Sequence, residues 1–265
     1  MIIKPVPCLK DNYAYLLIDE ASGQAAVVDP SETEPILKAL QELAKERADN
    51  EPIELVAILN THHHWDHTGG NEGLKEKFPQ LRIYGHASDR GRIAGQTEFL
   101  EHGDSLSIGT LSGHIVHNPG HTLGAISYAF EDALFTGDTL FGAGCGRTFE
   151  GTAEQMYQSL NHVIGGFPDQ TRIFFGHEYT VNNLRFAMEV EPLNSEVRMR
   201  SQRVMAQRGA GQLTTPSTLK EEWQSNPFLR CEQATVIEAI RRHEPGLKNT
   251  PPEVFRVLRA WKDKF

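Results

Sequence analysis

The stretch Leu55-Val56-Ala57-Ile58-Leu59-Asn60-Thr61-His62-His63-His64-Trp65-Asp66-His67 decides how the rest of the chain reads. Its first half is an apolar run of strand length, and its second half places His62, His64, Asp66 and His67 where a buried strand emerges into a loop. In an extended backbone, residues two apart point the same way. His62, His64 and Asp66 then share one side, His67 turns toward a neighbouring point, and His63 faces away. Imidazole nitrogen and carboxylate oxygen are the donors that zinc and related divalent metals accept. A solvated histidine tract is the bland alternative, but an interleaved Trp65 and Asp66 at a strand terminus do not suit it.

Three more residues repeat that placement just beyond an apolar stretch: His121 after Ile115-Val116, Asp138 after Ala133-Leu134-Phe135, and His177 after Ile173-Phe174-Phe175. Singly, each reads as a turn residue. Together with the histidine segment they make one metal centre the better explanation. The other histidines (His63, His86, His102, His114, His117, His162 and His243) read as structural or solvent-facing.

Around these points the first two-thirds of the chain alternates short β-branched or aromatic runs with turns. Strands are expected at Tyr13–Asp19, Ala25–Val28, Leu55–Asn60, Leu81–Tyr84, His114–His117, Ile126–Phe130, Ala133–Thr136 and Arg172–Phe175. Apolar residues at three- and four-residue spacing predict helices over Glu34–Glu46 and Ala153–Val163. After Tyr179 helical patterns take over: Asn182–Glu191, Asn194–Gln207, Glu232–His243 and Pro251–Lys264, with Gly209–Pro216 as a loop. The expected division is a mixed α/β domain over residues 1–180 and a helical one over 181–265.

Composition narrows the function. The net charge of −9 is uneven, with 12 Lys/Arg against 25 Asp/Glu in residues 1–180 and 14 against 10 in residues 181–265. An acidic body argues against nucleic acid, which is bound by clustered Lys and Arg, but a small anion suits the basic end. No apolar run approaches the roughly 20 residues that cross a bilayer, and the start lacks a signal-peptide layout. A cytoplasmic protein with no membrane partner is expected. Cys8, Cys145 and Cys231 are far apart and odd in number, so neither a disulfide framework nor a thiolate zinc site is suggested. Cys145 lies in the Gly-rich loop Gly142–Gly146 with no legible His-Asp relay, which argues against a covalent nucleophile. The same loop lacks the order of a phosphate-binding motif.

The His62-x-His64-x-Asp66-His67 signature resembles that of the metallo-β-lactamase superfamily. The resemblance implies an α/β fold, a four-layer αββα sandwich, here with a C-terminal α-helical domain. It also implies a binuclear centre: His62, His64 and His121 on the first metal, Asp66, His67 and His177 on the second, and Asp138 bridging. Narrower stretches are similar to the type II glyoxalases, the hydroxyacylglutathione hydrolases: THHHWDHTGGN (61–71), GCGRTFEGT (144–152), GHEYTVNNLRFA (176–187), LRAWKDKF (258–265) and Asp11-Asn12-Tyr13. This similarity runs from Lys10 to the last residue. It implies a monomer that hydrolyses S-D-lactoylglutathione and related 2-hydroxyacyl thioesters to glutathione and the acid, D-lactate for the first, in methylglyoxal detoxification. Asp66 and Asp138 would serve catalysis by holding the metals.

Two divalent ions, zinc by preference with iron or manganese as alternatives, would carry a bridging hydroxide and leave a residual positive charge for the oxyanion and departing thiolate. The resemblance assigns substrate contacts to Arg147, Phe149, Tyr179, Asn183, Arg259 and Lys262. Their cations and amides match the two carboxylates and one amine of glutathione. Two departures stand out: Ala125 replaces the second His of the usual G-H-T-x-G-H, and Phe149 replaces a frequent Tyr. The nearest rival is a glutathione-persulfide dioxygenase on the same fold. It needs fewer metal ligands and generally lacks the helical appendage. A β-lactamase, a nucleic-acid phosphodiesterase and a non-catalytic binding module follow further behind.

Overall fold

In the computed structural model, which describes residues 1–46, 53–246, 248 and 250–265, the chain divides into two compact units. The first comprises residues 1–117 and 124–137, the second 118–123 and 138–265. This division by packing differs from the expected linear one, because two segments preceding residue 181 belong with the C-terminal helices.

The first unit opens with strands β1 (Ile2–Cys8), β2 (Asn12–Ile18), β3 (Gln24–Val28), β4 (Glu54–Leu59), β5 (Arg82–His86) and β6 (Glu98–Leu100), which lie side by side in chain order. The first three pair antiparallel and the next pairs are parallel. A parallel step needs a crossover, and helix α1 (Thr33–Glu46) supplies it between β3 and β4. Its Ile36, Leu40 and Leu43 recur on one stripe and pack with Leu16, Ile18 and Val27 on one face of the sheet. Helices α2 (Trp65–Thr68) and α3 (Asn71–Lys77) follow β4, and Leu74 of α3 joins the same cluster.

On the opposite face Tyr15 meets Phe135, ring centroids 5.6 Å apart. Phe135 belongs to an antiparallel run formed by β7 (Ser105–Ile108), β8 (Leu111–His117), β9 (Ile126–Phe130) and β10 (Ala133–Gly137). Two sheet faces are thereby buried against each other, and strand β2 is buried along its whole length. Strand β1 was not expected, since Pro5 and Pro7 interrupt its pattern. It lies at the end of the strand order, and prolines of one parity are tolerated at such an edge, where their missing N–H groups need no partner.

The second unit contains the hairpin of β11 (Leu140–Phe141) and β12 (Gly144–Cys145), and the antiparallel pair β13 (Arg172–Phe175) and β14 (Ser217–Thr218). Its helices are α4 (Ala153–Gln158), α5 (Thr180–Val190), α6 (Ser195–Gly209), α7 (Leu219–Ser225), α8 (Ala234–His243) and α9 (Pro251–Lys262). Helix α4 starts at a capping box in which Thr152 and Gln155 satisfy each other's backbone N–H. The helix expected over Ala153–Val163 changes after Gln158 into a π-helical turn, Ser159–Val163. No described helix is long and apolar enough to cross a membrane.

A buried ionic knot fixes the helices of this unit. Glu222 is fully buried, accepts from Arg200 Nη2 at 2.5 Å and from Asn226 Nδ2 at 3.1 Å, and receives the Ala143 backbone N–H at 2.8 Å. Arg200 also donates to Ser225 Oγ at 2.8 Å. Removing Glu222 leaves the buried Arg200 charge with only the half-buried Glu221 carboxylate, 3.3 Å from its Nε. Glu222→Ala should therefore cost up to ~3–5 kcal/mol, read as a lower urea midpoint, and a loss under ~1 kcal/mol would assign the pair little weight.

Candidate metal centre

In the first unit the ligand candidates hang on a carboxylate that the sequence reading passed over. Asp29 follows β3 with φ 48°, a left-handed conformation that Asp adopts more readily than most residues. Its Oδ1 accepts the Thr61 N–H at 2.8 Å, and its Oδ2 accepts the Thr61 hydroxyl at 2.6 Å and lies 3.0 Å from His67 Nδ1. The Thr61 hydroxyl proton goes to Asp29, so the same oxygen accepts from His62 Nδ1 at 3.0 Å. Both His62 and His67 then carry their proton on Nδ1 and present an Nε2 lone pair. A carboxylate or hydroxyl behind an imidazole is how metal-binding histidines are oriented. Gly137 is required beside them, because a Cβ there would lie 2.2 Å from Thr61 Oγ1.

The extended alternation expected through Asp66 does not form: the chain bends at Thr61 and His62, and His64, with φ −59° and ψ 141°, leads directly into a helix. From Trp65 the chain turns into α2, so Asp66 and His67 are placed by a helical turn, and the expectation of one continuous extended run is corrected. His62 Nε2 lies 3.0 Å from His64 Nδ1. Asp66 Oδ2 lies 3.6 Å from His67 Nε2 and accepts from Asn12 Nδ2 at 3.0 Å. Asn60 carries the turn by donating to the His67 carbonyl at 2.9 Å, and Asn71 in turn donates to Asn60 Oδ1 at 2.8 Å. His62 and His67 are each 1% exposed. Such burial suits neutral, oriented imidazoles rather than a solvated tract.

In the second unit His121, Asp138 and His177 come together. Asp138 Oδ2 lies 3.3 Å from His177 Nε2 and 3.6 Å from His121 Nε2. The Arg147 carbonyl accepts a hydrogen bond from His121 Nδ1–H at 2.8 Å, again leaving the Nε2 lone pair as the ligand atom. His177 stacks on Tyr179 with ring centroids 4.7 Å apart, and Phe149 stands edge-on to His121 at 5.3 Å. Nε2 lone pairs and carboxylate oxygens make a donor set that fits divalent cations, with an acceptor behind the rings of His62, His67 and His121 and a donor on Asp66.

His121 and Asp138 open onto a cleft of about 520 Å³ whose lining includes Arg147, Phe149, Tyr179, Asn183, Arg259 and Lys262. These six are not equivalent. Asn183 is 5% exposed and donates to the Gly142 carbonyl at 3.1 Å, holding the β11–β12 turn. Arg259 is buried, donating to the Cys145 carbonyl at 2.9 Å and to Asp263. Arg147 and Lys262 are the more open cations, Arg147 lying 3.4 Å from Asp263. Burial beside Arg259 pushes the Lys262 ammonium down to about 8. The same burial pushes the Cys145 thiol up to about 11, which keeps it protonated and disfavours it as a nucleophile.

Two participants were missed. Asp29 carries the same signal as the aspartate at 138, a carboxylate just past an apolar strand. Asp263, which joins Arg147 and Arg259, had only its place one residue after Lys262 to mark it.

Known proteins match this architecture. The family model described as "Metallo-beta-lactamase superfamily" covers residues 10–185, and that described as "Hydroxyacylglutathione hydrolase C-terminus" covers residues 178–265. A hydroxyacylglutathione hydrolase of Synechococcus sp. (strain JA-2-3B'a(2-13)) is 46% identical over the full length of both chains. The "Hydroxyacylglutathione hydrolase cytoplasmic" of Arabidopsis thaliana is 43% identical over all of this chain and 99% of its own. Among solved structures, ETHE1 from Myxococcus xanthus has a TM-score of 0.64 at 26% identity, covering 99% of this chain and 98% of its own. The fold is thus the αββα sandwich expected, followed by a helical C-terminal region. The chain belongs to the hydroxyacylglutathione hydrolase family of the metallo-β-lactamase superfamily.

Proposed function

We propose that this protein hydrolyses S-D-lactoylglutathione and related 2-hydroxyacylglutathiones, breaking the acyl C–S bond, with the oxygen of water going to the acyl carbon and a proton to the sulfur. The observation that carries this reading is the cleft that sets His121 and Asp138 beside Arg147 and Lys262. A thioester of glutathione needs both: a metal site for its carbonyl and cations for its carboxylates. We assign His62, His64 and His121 to one divalent ion, Asp66, His67 and His177 to a second, and Asp138 to both, with zinc as the natural occupant and iron or manganese compatible with the same donors. Bound there, the metals supply Lewis-acid polarisation and lower the pKa of water toward neutrality.

The chain's own residues do the rest. Residues 181–265 contribute Asn183, Arg259 and Lys262 to the glutathione side of the cleft, and Arg147, Phe149 and Tyr179 come from before them. Lys262 meets a substrate carboxylate as a point charge, and Arg147 from its exposed position offers a planar fork to another. Arg259 acts mainly by holding the β12 backbone and Asp263 in place. Tyr179 presents its phenol from the ring stacked on His177. Phe149 shields the His121 side of the cleft from water. The protein works as a cytoplasmic monomer, with neither nucleic acid nor membrane as partner.

Asp138→Ala should lower metal content below the two ions per chain of the parent and abolish most turnover, since one carboxylate serves both ions. Elemental analysis finding no more than one tightly bound ion in active parent protein would overturn the binuclear assignment.

A pH profile tests the cleft. The Lys262 ammonium is cationic below about 8 and neutral above it, so attraction for a substrate carboxylate is full on the acid side and lost as pH rises. KM should climb through that range in the parent, stay level in Lys262→Arg, and be raised at all pH values in Lys262→Ala with kcat little changed. A KM for Lys262→Ala equal to the parent's would return Lys262 to the role of a solvated helix residue.

Hydrolysis consumes only water. Anaerobic and aerobic turnover of S-D-lactoylglutathione should agree, with one glutathione thiol released per acyl group. Absent thioester cleavage together with oxygen uptake on glutathione persulfide would replace this reading with a dioxygenase.

A further inference from the structure

His63 stands between two ligand candidates and is no ligand in the proposed centre, yet its ring is hydrogen-bonded at Nε2 and faces a buried carboxylate with Nδ1. Arg92 Nη2 donates to His63 Nε2 at 2.6 Å. That nitrogen is therefore an acceptor, the imidazole proton sits on Nδ1, and Nδ1 lies 3.2 Å from Asp89 Oδ1. Asp89 is fully buried. Arg92 closes the ring from the other side, with Nη1 3.5 Å from the same carboxylate oxygen and its backbone N–H donating to the Asp89 carbonyl at 2.8 Å. Space for the carboxylate is kept by Gly124, where a Cβ would lie 2.5 Å from Asp89 Oδ2.

We infer that His63, Asp89 and Arg92 form a positioning triad for the metal ligands. The argument is one of backbone geometry. His63 lies between His62 and His64 in a segment that leaves β4 through a bend at Thr61 and His62, so whatever fixes the direction of residue 63 restrains the backbone torsions that aim its two neighbours. Pinning the His63 ring against a buried carboxylate restrains the segment in which the facing nitrogens of His62 and His64 lie 3.0 Å apart. Asp29 orients His67 directly and His62 through the Thr61 hydroxyl, and the triad adds a second hold on the segment that carries His64. Burying a carboxylate completely is costly unless it is paired, and Asp89 spends that cost on a residue which is itself no ligand. That expenditure has a purpose only if the direction of residue 63 matters.

This inference rests on the reading that the segment binds metal, and its test reads metal affinity instead of turnover. Apo protein would be titrated with zinc against a chromophoric chelator, and separately with cobalt(II), whose visible absorption reports ligand geometry. His63→Ala and the isosteric Asp89→Asn should each weaken metal binding by about 10–100-fold and alter the cobalt spectrum, with Arg92→Lys closer to the parent. The Asp89→Asn variant is read alone if His63→Ala fails to fold. Zinc affinities within about twofold of the parent, with an unchanged cobalt spectrum, would overturn the triad and leave a purely structural pair. A parent protein that binds no metal would instead overturn the reading on which the triad rests.

Discussion

The Asp29 carboxylate is the constraint on which the first unit's chemistry depends. It holds the Thr61 amide, the Thr61 hydroxyl and the His67 ring, and so joins the end of β3 to the segment that leaves β4. Burial makes this decisive: at 2% exposure its contacts with the chain stand in for the water it has lost. The left-handed backbone at Asp29 costs a fraction of what those contacts return. The consequence is chemical as well as mechanical, because a proton held on Nδ1 of His62 and His67 leaves both Nε2 atoms as donors.

Much of this was legible in the sequence, for identifiable reasons. Strands with period-two or fully apolar patterns, such as Ile126–Phe130 and Arg172–Phe175, were found with their exact bounds. Helix α1 was found because its apolar stripe repeats at helical spacing. The losses have physical causes too. Strand β1 hides behind two prolines that only an edge permits, and β6 and β7 are too short to show a period. The two-residue strand β14 lies after Tyr179, among the helical patterns, and is too short to show a period. The extended reading through Asp66 failed because a four-residue helix has too few residues to announce itself, and the helical turn of α2 won.

The candidate site was legible as a set of residue types, but their division of labour was not. Arg259 and Lys262, three apart on α9, look equivalent in sequence. One is buried and engaged by the Cys145 carbonyl and Asp263. The other keeps its ammonium toward the cleft and the Phe265 ring. Tertiary partners decided this, and no local pattern carries them. Asn183 likewise reads as a polar contact and proves to hold the β11–β12 turn.

The two departures from the family pattern bear differently on the site. Ala125 is 4% exposed at the start of β9, so the position takes a small apolar side chain without opening a polar void. Phe149 is 62% exposed and meets His121 edge-on. An exposed aromatic ring costs apolar surface in water, and a bound acyl group would return that surface to contact. On the proposed reading, a ring without a hydroxyl beside His121 would meet the methyl side of the acyl group, and the polar contacts would fall to Tyr179, Arg147 and Lys262.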